Sequence, residues 1–219
     1  MTNDTVTQPS AIRSAPVDPR PLFATAVALG GSVIGDFRPE QLTAPTVCGQ
    51  FDVRALLDHL VEVLHRVAAI GREDDPFAFA SSPDVADDGW PAAWSDAARS
   101  AGASWADDAA LDRIVQLPWA TMPGAATLVS YVSEITVHTW DLAEATGQGP
   151  AWDDAVVAAA YEASRRALPA TGRAAMMDAV RERLPLEWRD SPPPYGEAVD
   201  VPADAPLIDR LVAWNGRRP

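Results

Sequence analysis

The chain contains no lysine, so all 17 of its basic side chains are arginines. This absence excludes the Walker A lysine of P-loop NTPases, lysine Schiff bases and the Ser-x-x-Lys acyl enzymes. A single cysteine, Cys48, excludes an internal disulfide framework and a multi-cysteine zinc site. No segment approaches the ~18 consecutive apolar residues of a membrane span, and residues 1–20 lack the apolar run of a signal peptide. We therefore expect a cytoplasmic protein that does not enter membranes.

Positive charge is also scarce, because 31 acidic residues outweigh the arginines and give a formal net charge of −14. Such a charge repels nucleic acids and anionic membrane surfaces. The composition therefore favours a small molecule as the partner, and it does not indicate an oligomeric state.

Helical periodicity dominates the rest of the sequence, which contains 41 alanines, the best helix formers. The clearest pattern begins after Asp52, a plausible N-cap, where apolar residues recur at helical spacing up to Gly71. Ile114 to Trp119 is instead β-prone and ends at a proline, which indicates a short extended segment or hairpin. Helices are predicted at 21–37, 53–70, 90–110, 124–146, 153–168, 171–183 and 205–214.

These patterns predict an all-α protein with four principal helices. A loosely attached arm would cover residues 1–18, and residues 19–219 would form a single domain. Within it, the core bundle would cover about 19–150, and a short helical and irregular appendage would cover about 151–219.

The chain contains three histidines, which narrows the search for a polar site. Projected on a helix, His59 lies at the edge of an apolar stripe, whereas His65 points to solvent. Glu134 and His138 are four residues apart and therefore lie one turn apart on one helix face. Two imidazoles and a carboxylate are a typical ligand set for a catalytic divalent ion. The spacing alone also fits an ordinary ion pair or hydrogen bond, so both interpretations stay open.

Other candidate residues surround this set. Asp141 follows His138 by three residues and would hydrogen-bond a ligand or remain solvated. Tyr131, Trp119 and Trp140 are candidates for the pocket wall, although packing in the core explains aromatic residues equally well. The sequence offers no basic partner for Cys48, contains no Gly-x-Ser-x-Gly elbow and matches no phosphate-binding fingerprint.

Three segments resemble the DinB-like metal-binding bundles, in the branch that includes the N-terminal domain of mycothiol-dependent maleylpyruvate isomerases. They are PTVCGQFDVRALLDHL at 45–60, EITVHTWDLA at 134–143 followed by ATGQ at 145–148, and APLIDRLVAW at 205–214 followed by GRRP at 216–219. Val47 and Phe51 replace a proline and a tryptophan that are usual in the family. The resemblance implies a DinB-like four-helix bundle and places His59, Glu134 and His138 on the family's metal triad. It also implies a divalent ion, zinc by preference, and mycothiol or another low-molecular-weight thiol as cosubstrate.

These features lead to three hypotheses of function. In the first, the protein is a metal-dependent isomerase or S-transferase whose thiol cosubstrate attacks a small electrophilic metabolite. In the second, the same ion supports hydrolysis, and in the third the protein binds a metal or a small ligand without catalysis. No catalytic residue of the protein itself is assigned. The isomerases carry a further C-terminal domain, whereas only a short tail follows the bundle here.

Overall fold

The computed structural model describes residues 18–49, 51–78, 85–184, 186, 189 and 195–219. Over these residues the fold is helical, which confirms the predicted all-α class. The predicted arm of residues 1–18 lies outside the described residues except for Asp18. None of the described helices combines the length and the apolar character needed to cross a membrane. The helices are α1 Arg20–Asp36, α2 Val53–Arg72, α3 Trp90–Ser104, α4 Asp108–Asp112, α5 Gly124–Thr146, α6 Asp154–Ala167, α7 Arg173–Arg181 and α8 Leu207–Trp214, with a 3₁₀ turn at Pro39–Gln41.

Four long helices form the core. α2 packs against α3 and α5, and α1 packs against the same two helices from the other side. The predicted N-cap of α2 is present, since the Asp52 carboxylate accepts a hydrogen bond from the backbone N–H of Ala55 at 2.9 Å. The apolar stripe that follows is fully buried in the bundle and includes Leu56, Leu57, Leu60, Val63, Leu64 and Val67.

The predicted helix over 90–110 is wrong in its extent, because the structure divides this region into two helices. α3 ends at Ser104, and α4 begins after Asp107. The Asp107 carboxylate accepts the N–H of Ala109 at 3.0 Å. An aspartate that caps a new helix in this way competes with continuation of the old one.

The β-prone segment forms a hairpin that leads directly into α5. Strand β1, Ile114–Leu117, pairs antiparallel with β2, Ala120–Pro123, and the register places Leu117 opposite Ala120. Pro118 and Trp119 form the turn between them. Because β2 ends at Pro123 and α5 begins at the next residue, the hairpin sets the start of the helix that carries Glu134 and His138.

The C-terminal appendage packs on one side of α5. α6 contacts α5 and α8, and a small apolar cluster joins Val137 of α5 to Val157, Ala160 and Leu211. Arg173, at the start of α7, is only 2% exposed. Its guanidinium donates hydrogen bonds to the carbonyls of Pro169, at 2.7 Å, and Trp214, at 2.6 Å. It also donates to the carbonyl of Gly196.

We expect Gly124→Ala to destabilise the fold. A β-carbon at Gly124 would lie 2.0 Å from the backbone carbonyl oxygen of Ala110, an atom that belongs to α4 and cannot rotate away. Relief of this clash should cost about 1–3 kcal/mol of unfolding free energy, as for other overpacked sites. Urea unfolding measures the difference, with Gly102→Ala as the matched control because nothing lies within 4 Å of a β-carbon there. Equal stability of the two variants would contradict the close approach of α4 to α5.

Candidate metal centre

Two histidines and one glutamate meet where α2 crosses α5. His59 lies in the middle of α2, and Glu134 and His138 occupy successive turns of α5. The Oε1 atom of Glu134 is 3.4 Å from His59 Nε2 and 3.5 Å from His138 Nε2. The two imidazole rings stand edge to face with centroids 4.8 Å apart. One carboxylate oxygen therefore faces two ring nitrogens at once.

These separations suit a bound divalent ion better than they suit direct hydrogen bonds. Hydrogen bonds between nitrogen and a carboxylate are normally about 2.7–2.9 Å long. Atoms that lie about 2.1 Å from a tetrahedral zinc ion are about 3.4 Å apart. One ligand atom from each of the three residues lies within 4.8 Å of the others. The donor set thus fits a zinc-type ion with one or more positions left for other ligands.

Asp141 fixes the orientation of His138. Its Oδ2 atom lies 2.9 Å from His138 Nδ1, one turn further along α5, and the carboxylate is fully buried. A proton on Nδ1, donated to Asp141, leaves the lone pair of Nε2 directed towards Glu134 and His59. This arrangement is the carboxylate–histidine pair that commonly supports a metal ligand.

Arg217 holds Asp141 in turn from the far end of the chain. Its Nε donates to Asp141 Oδ1 at 3.0 Å and its Nη2 donates to Oδ2 at 2.7 Å, a bidentate pair. The Nη2 atom also lies 3.8 Å from Cys48 Sγ. Cys48 therefore has a basic neighbour that the sequence did not reveal, and its thiol lies within 4.8 Å of ligand atoms of His138 and Asp141.

Tyr195 contacts the opposite side of the carboxylate. Its hydroxyl donates to Glu134 Oε2 at 3.3 Å, which leaves Oε1 towards the imidazoles. The negative charge of Glu134, together with burial, holds the pKa of Tyr195 above its ordinary value, so the hydroxyl keeps its proton. No sequence pattern indicated a role for Tyr195 or for Arg217 at this site.

The two imidazoles differ in charge when no ion is bound. Burial lowers the pKa of His59. Burial also acts to lower the pKa of His138, but hydrogen bonds with Asp141, Cys48 and Glu134 outweigh it and raise the pKa well above 6.5. Burial acts to raise the pKa of Glu134, yet both imidazoles hold it well below 4.5. A neutral His59 therefore faces an ion pair of Glu134 and His138.

The remaining candidates are placed differently. Tyr131 is buried on α5, one turn before Glu134, and burial raises the pKa of its hydroxyl. Trp140 is 5% exposed, whereas Trp119 is 39% exposed at the hairpin turn, where its ring stands edge-on to Phe77. His65 is exposed on α2, as its projected direction predicted.

The ion pair of Glu134 and His138 predicts that the stability of the metal-free protein has a pH optimum. His138 has a folded pKa above its unfolded value, so its contribution to stability is complete below about pH 6.5 and is lost as the pH rises through the folded pKa. The contribution of Glu134 is present above pH 4.5 and is lost as the pH falls through its lowered pKa. We expect the urea midpoint of chelator-treated protein to be highest between about pH 4.5 and pH 6.5. His138→Gln should flatten the fall of the midpoint at higher pH. A fall unchanged by His138→Gln would contradict the assignment.

Comparison with known proteins places this chain in a family. A family model described as the mycothiol maleylpyruvate isomerase N-terminal domain matches residues 23–143, which include His59, Glu134, His138 and Asp141. Two uncharacterized proteins of Mycobacterium tuberculosis, MT0763 of strain CDC 1551 and Rv0738 of strain H37Rv, are each 26% identical over 204 residues. Each alignment covers 92% of this chain and 98% of the relative. No solved structure matches the chain. Since the family model covers more than half of the residues, the protein belongs to the mycothiol maleylpyruvate isomerase N-terminal domain family.

Proposed function

We propose that the protein is a zinc-dependent enzyme in which a low-molecular-weight thiol of the mycothiol type reacts with a small electrophilic metabolite. One observation carries the proposal: the Nε2 atoms of two histidines face one oxygen of Glu134 at 3.4 and 3.5 Å. Membership of a mycothiol-related family supports the thiol as cosubstrate.

His59, Glu134 and His138 would hold the ion. Imidazole nitrogen and carboxylate oxygen suit zinc, and a three-residue set leaves room for an exogenous ligand. A bound zinc ion would lower the pKa of a thiol that coordinates it, because the ion stabilises the thiolate. The protein then needs no nucleophile of its own.

The protein's residues contribute orientation and charge. Asp141 keeps the proton of His138 on Nδ1, and Phe51 packs against the ring of His59 with centroids 5.4 Å apart. The single negative charge of Glu134 offsets only part of the charge of a divalent ion, so the site retains attraction for a thiolate. The thiolate sulfur would bond to an electrophilic carbon. For isomerisation the π pair of a conjugated C=C bond would move onto its activating carbonyl as the sulfur adds; the resulting single bond would rotate, and return of the pair would expel the thiolate. For S-transfer a leaving group would depart from the attacked carbon with the electron pair.

The test is a thiol-dependent assay on the metal-loaded protein. Protein purified without a histidine tag and loaded with zinc is mixed with mycothiol and a series of electrophiles, and loss of electrophile absorbance is recorded. We expect turnover that requires both zinc and thiol and is kept in His65→Ala. Ester or amide cleavage without thiol would replace the proposal by a metal-dependent hydrolase. Ligand binding without any turnover would reduce it to a non-catalytic binding module.

A further inference from the structure

Two side chains of the C-terminal segment, residues 195–219, reach the candidate metal centre on α5. Tyr195 lies at the beginning of this segment and Arg217 close to its end. Both lie beyond residues 23–143, the part of the chain that matches the family model. The three ligand residues lie within that part, and Tyr195 and Arg217 reach them and Asp141 from outside it.

Each of the two side chains supports a different ligand. Tyr195 donates directly to Glu134 Oε2 at 3.3 Å. Arg217 acts on His138 through Asp141, which it holds with two hydrogen bonds of 2.7 and 3.0 Å. Arg217 is 7% exposed and Asp141 is fully buried, so solvent screens their pair weakly. The geometry of both α5 ligands therefore depends on this segment.

The two ends of the segment approach each other closely. A β-carbon at Gly216 would lie 2.8 Å from the Cα atom of Gly196, and Gly216 has a φ of 84°, which favours glycine. The guanidinium of Arg173 binds the carbonyls of Gly196 and Trp214 together. The Glu197 carboxylate accepts the backbone N–H groups of Gly172 and Arg173 at 3.1 Å. These anchors do not involve the metal ligands, so the segment is held in place before an ion binds.

We infer that Tyr195 and Arg217 are positioning residues that set the affinity and the coordination geometry of the divalent ion. The inference rests on the proposed function, because it requires that His59, Glu134 and His138 bind a metal. Tyr195 holds the outer oxygen of Glu134 so that Oε1 faces the ion. Arg217 holds Asp141 so that His138 keeps its proton on Nδ1 and presents Nε2.

The experiment compares metal binding in Tyr195→Phe, Arg217→Gln and the double variant. Tyr161→Phe, on α6, and Arg218→Gln, an exposed neighbour, are the matched controls. Zinc affinity is measured by competition with a chromophoric chelator, and coordination geometry by the visible spectrum of the cobalt-substituted protein. Hydrogen-bond partners of metal ligands typically contribute 10–100-fold to affinity. We expect about a tenfold loss for each single variant, about a hundredfold loss for the double variant and a changed cobalt spectrum, with both controls like wild type.

The outcomes separate this inference from the proposed function. Wild-type protein that fails to bind zinc overturns the proposed function and the inference with it. Wild-type protein that binds zinc while both single variants bind within about twofold of it overturns the inference alone. If Arg217→Gln fails to fold, Tyr195→Phe decides, because it removes only one hydroxyl. Arg217→Lys, which keeps the charge but loses the bidentate geometry, is expected to recover only part of the affinity.

Discussion

His138→Ala is expected to lose its divalent ion and all thiol-dependent turnover while the bundle remains folded. The variant removes one of three ligands, which should weaken zinc binding by more than about 100-fold, beyond what outer hydrogen-bond partners contribute. Asp141 keeps both hydrogen bonds from Arg217, so the substitution does not leave an unpaired carboxylate in the core. A bundle of this size has its own apolar core and does not need the metal to fold. Metal content by elemental analysis, together with circular dichroism, checks both parts.

The two histidines of α2, His59 and His65, provide a second test and a control for this result. His59→Ala should empty the site in the same way, because its Nε2 faces the same oxygen of Glu134. His65→Ala should retain full metal content, since His65 is exposed. A site that is empty in His65→Ala and occupied in His59→Ala would show that the ligand lies on the other face of α2. Full zinc content after all three proposed ligands are replaced would place the metal elsewhere.

Arg173→Met should cause a large loss of stability, because Arg173 is a buried charged residue with several backbone partners. The guanidinium donates to three backbone carbonyls, those of Pro169, Gly196 and Trp214. The Cζ atom of Arg173 also lies over the ring of Trp214, 5.8 Å from its centroid. Methionine fills a similar volume but leaves three carbonyls without a donor, and each such loss costs about 1–3 kcal/mol before relaxation. We expect the free energy of unfolding to fall by about 3 kcal/mol, since relaxation and water recover part of that sum.

A matched arginine tests whether this loss comes from the buried hydrogen bonds. Arg166 is exposed on α6 and pairs with Glu162 at 3.6 Å, so Arg166→Met should change stability by less than about 0.5 kcal/mol. Urea unfolding of the two variants gives the comparison. A similar effect of both substitutions would show that Arg173 does not anchor the C-terminal segment.

Local sequence patterns predicted much of the fold but only part of the site. Apolar spacing after Asp52 and before Gly147 located α2 and α5, because a buried helix face leaves a 3.6-residue period in the sequence. The division of α3 from α4 was missed, since alanine-rich residues on both sides hide the competing cap at Asp107. Spacing placed Glu134 beside His138 and helical projection made His59 a candidate third ligand. Only the family resemblance favoured a metal site over an ordinary ion pair, since 75 residues separate His59 from Glu134.

The contacts from the C-terminal segment had no local signal at all. Arg217 meets Asp141 across 76 residues, and Tyr195 meets Glu134 across 61. Each depends on the path of an irregular backbone around Gly196 and Gly216, where no periodicity exists. The GRRP sequence at 216–219 was noted as part of the resemblance, yet it did not indicate which arginine is buried or what it touches.

The crossing of α2 and α5 has a consequence for the dynamics of the protein. An ion shared by His59 and Glu134 would close a chain loop of 75 residues in the folded state. Such a link acts only when both helices are in place, so it opposes whole-molecule unfolding more than local opening. Amide hydrogen exchange in α2 and α5 should therefore slow when metal is added. Exchange in α7, which contributes no ligand, should continue at the same rate.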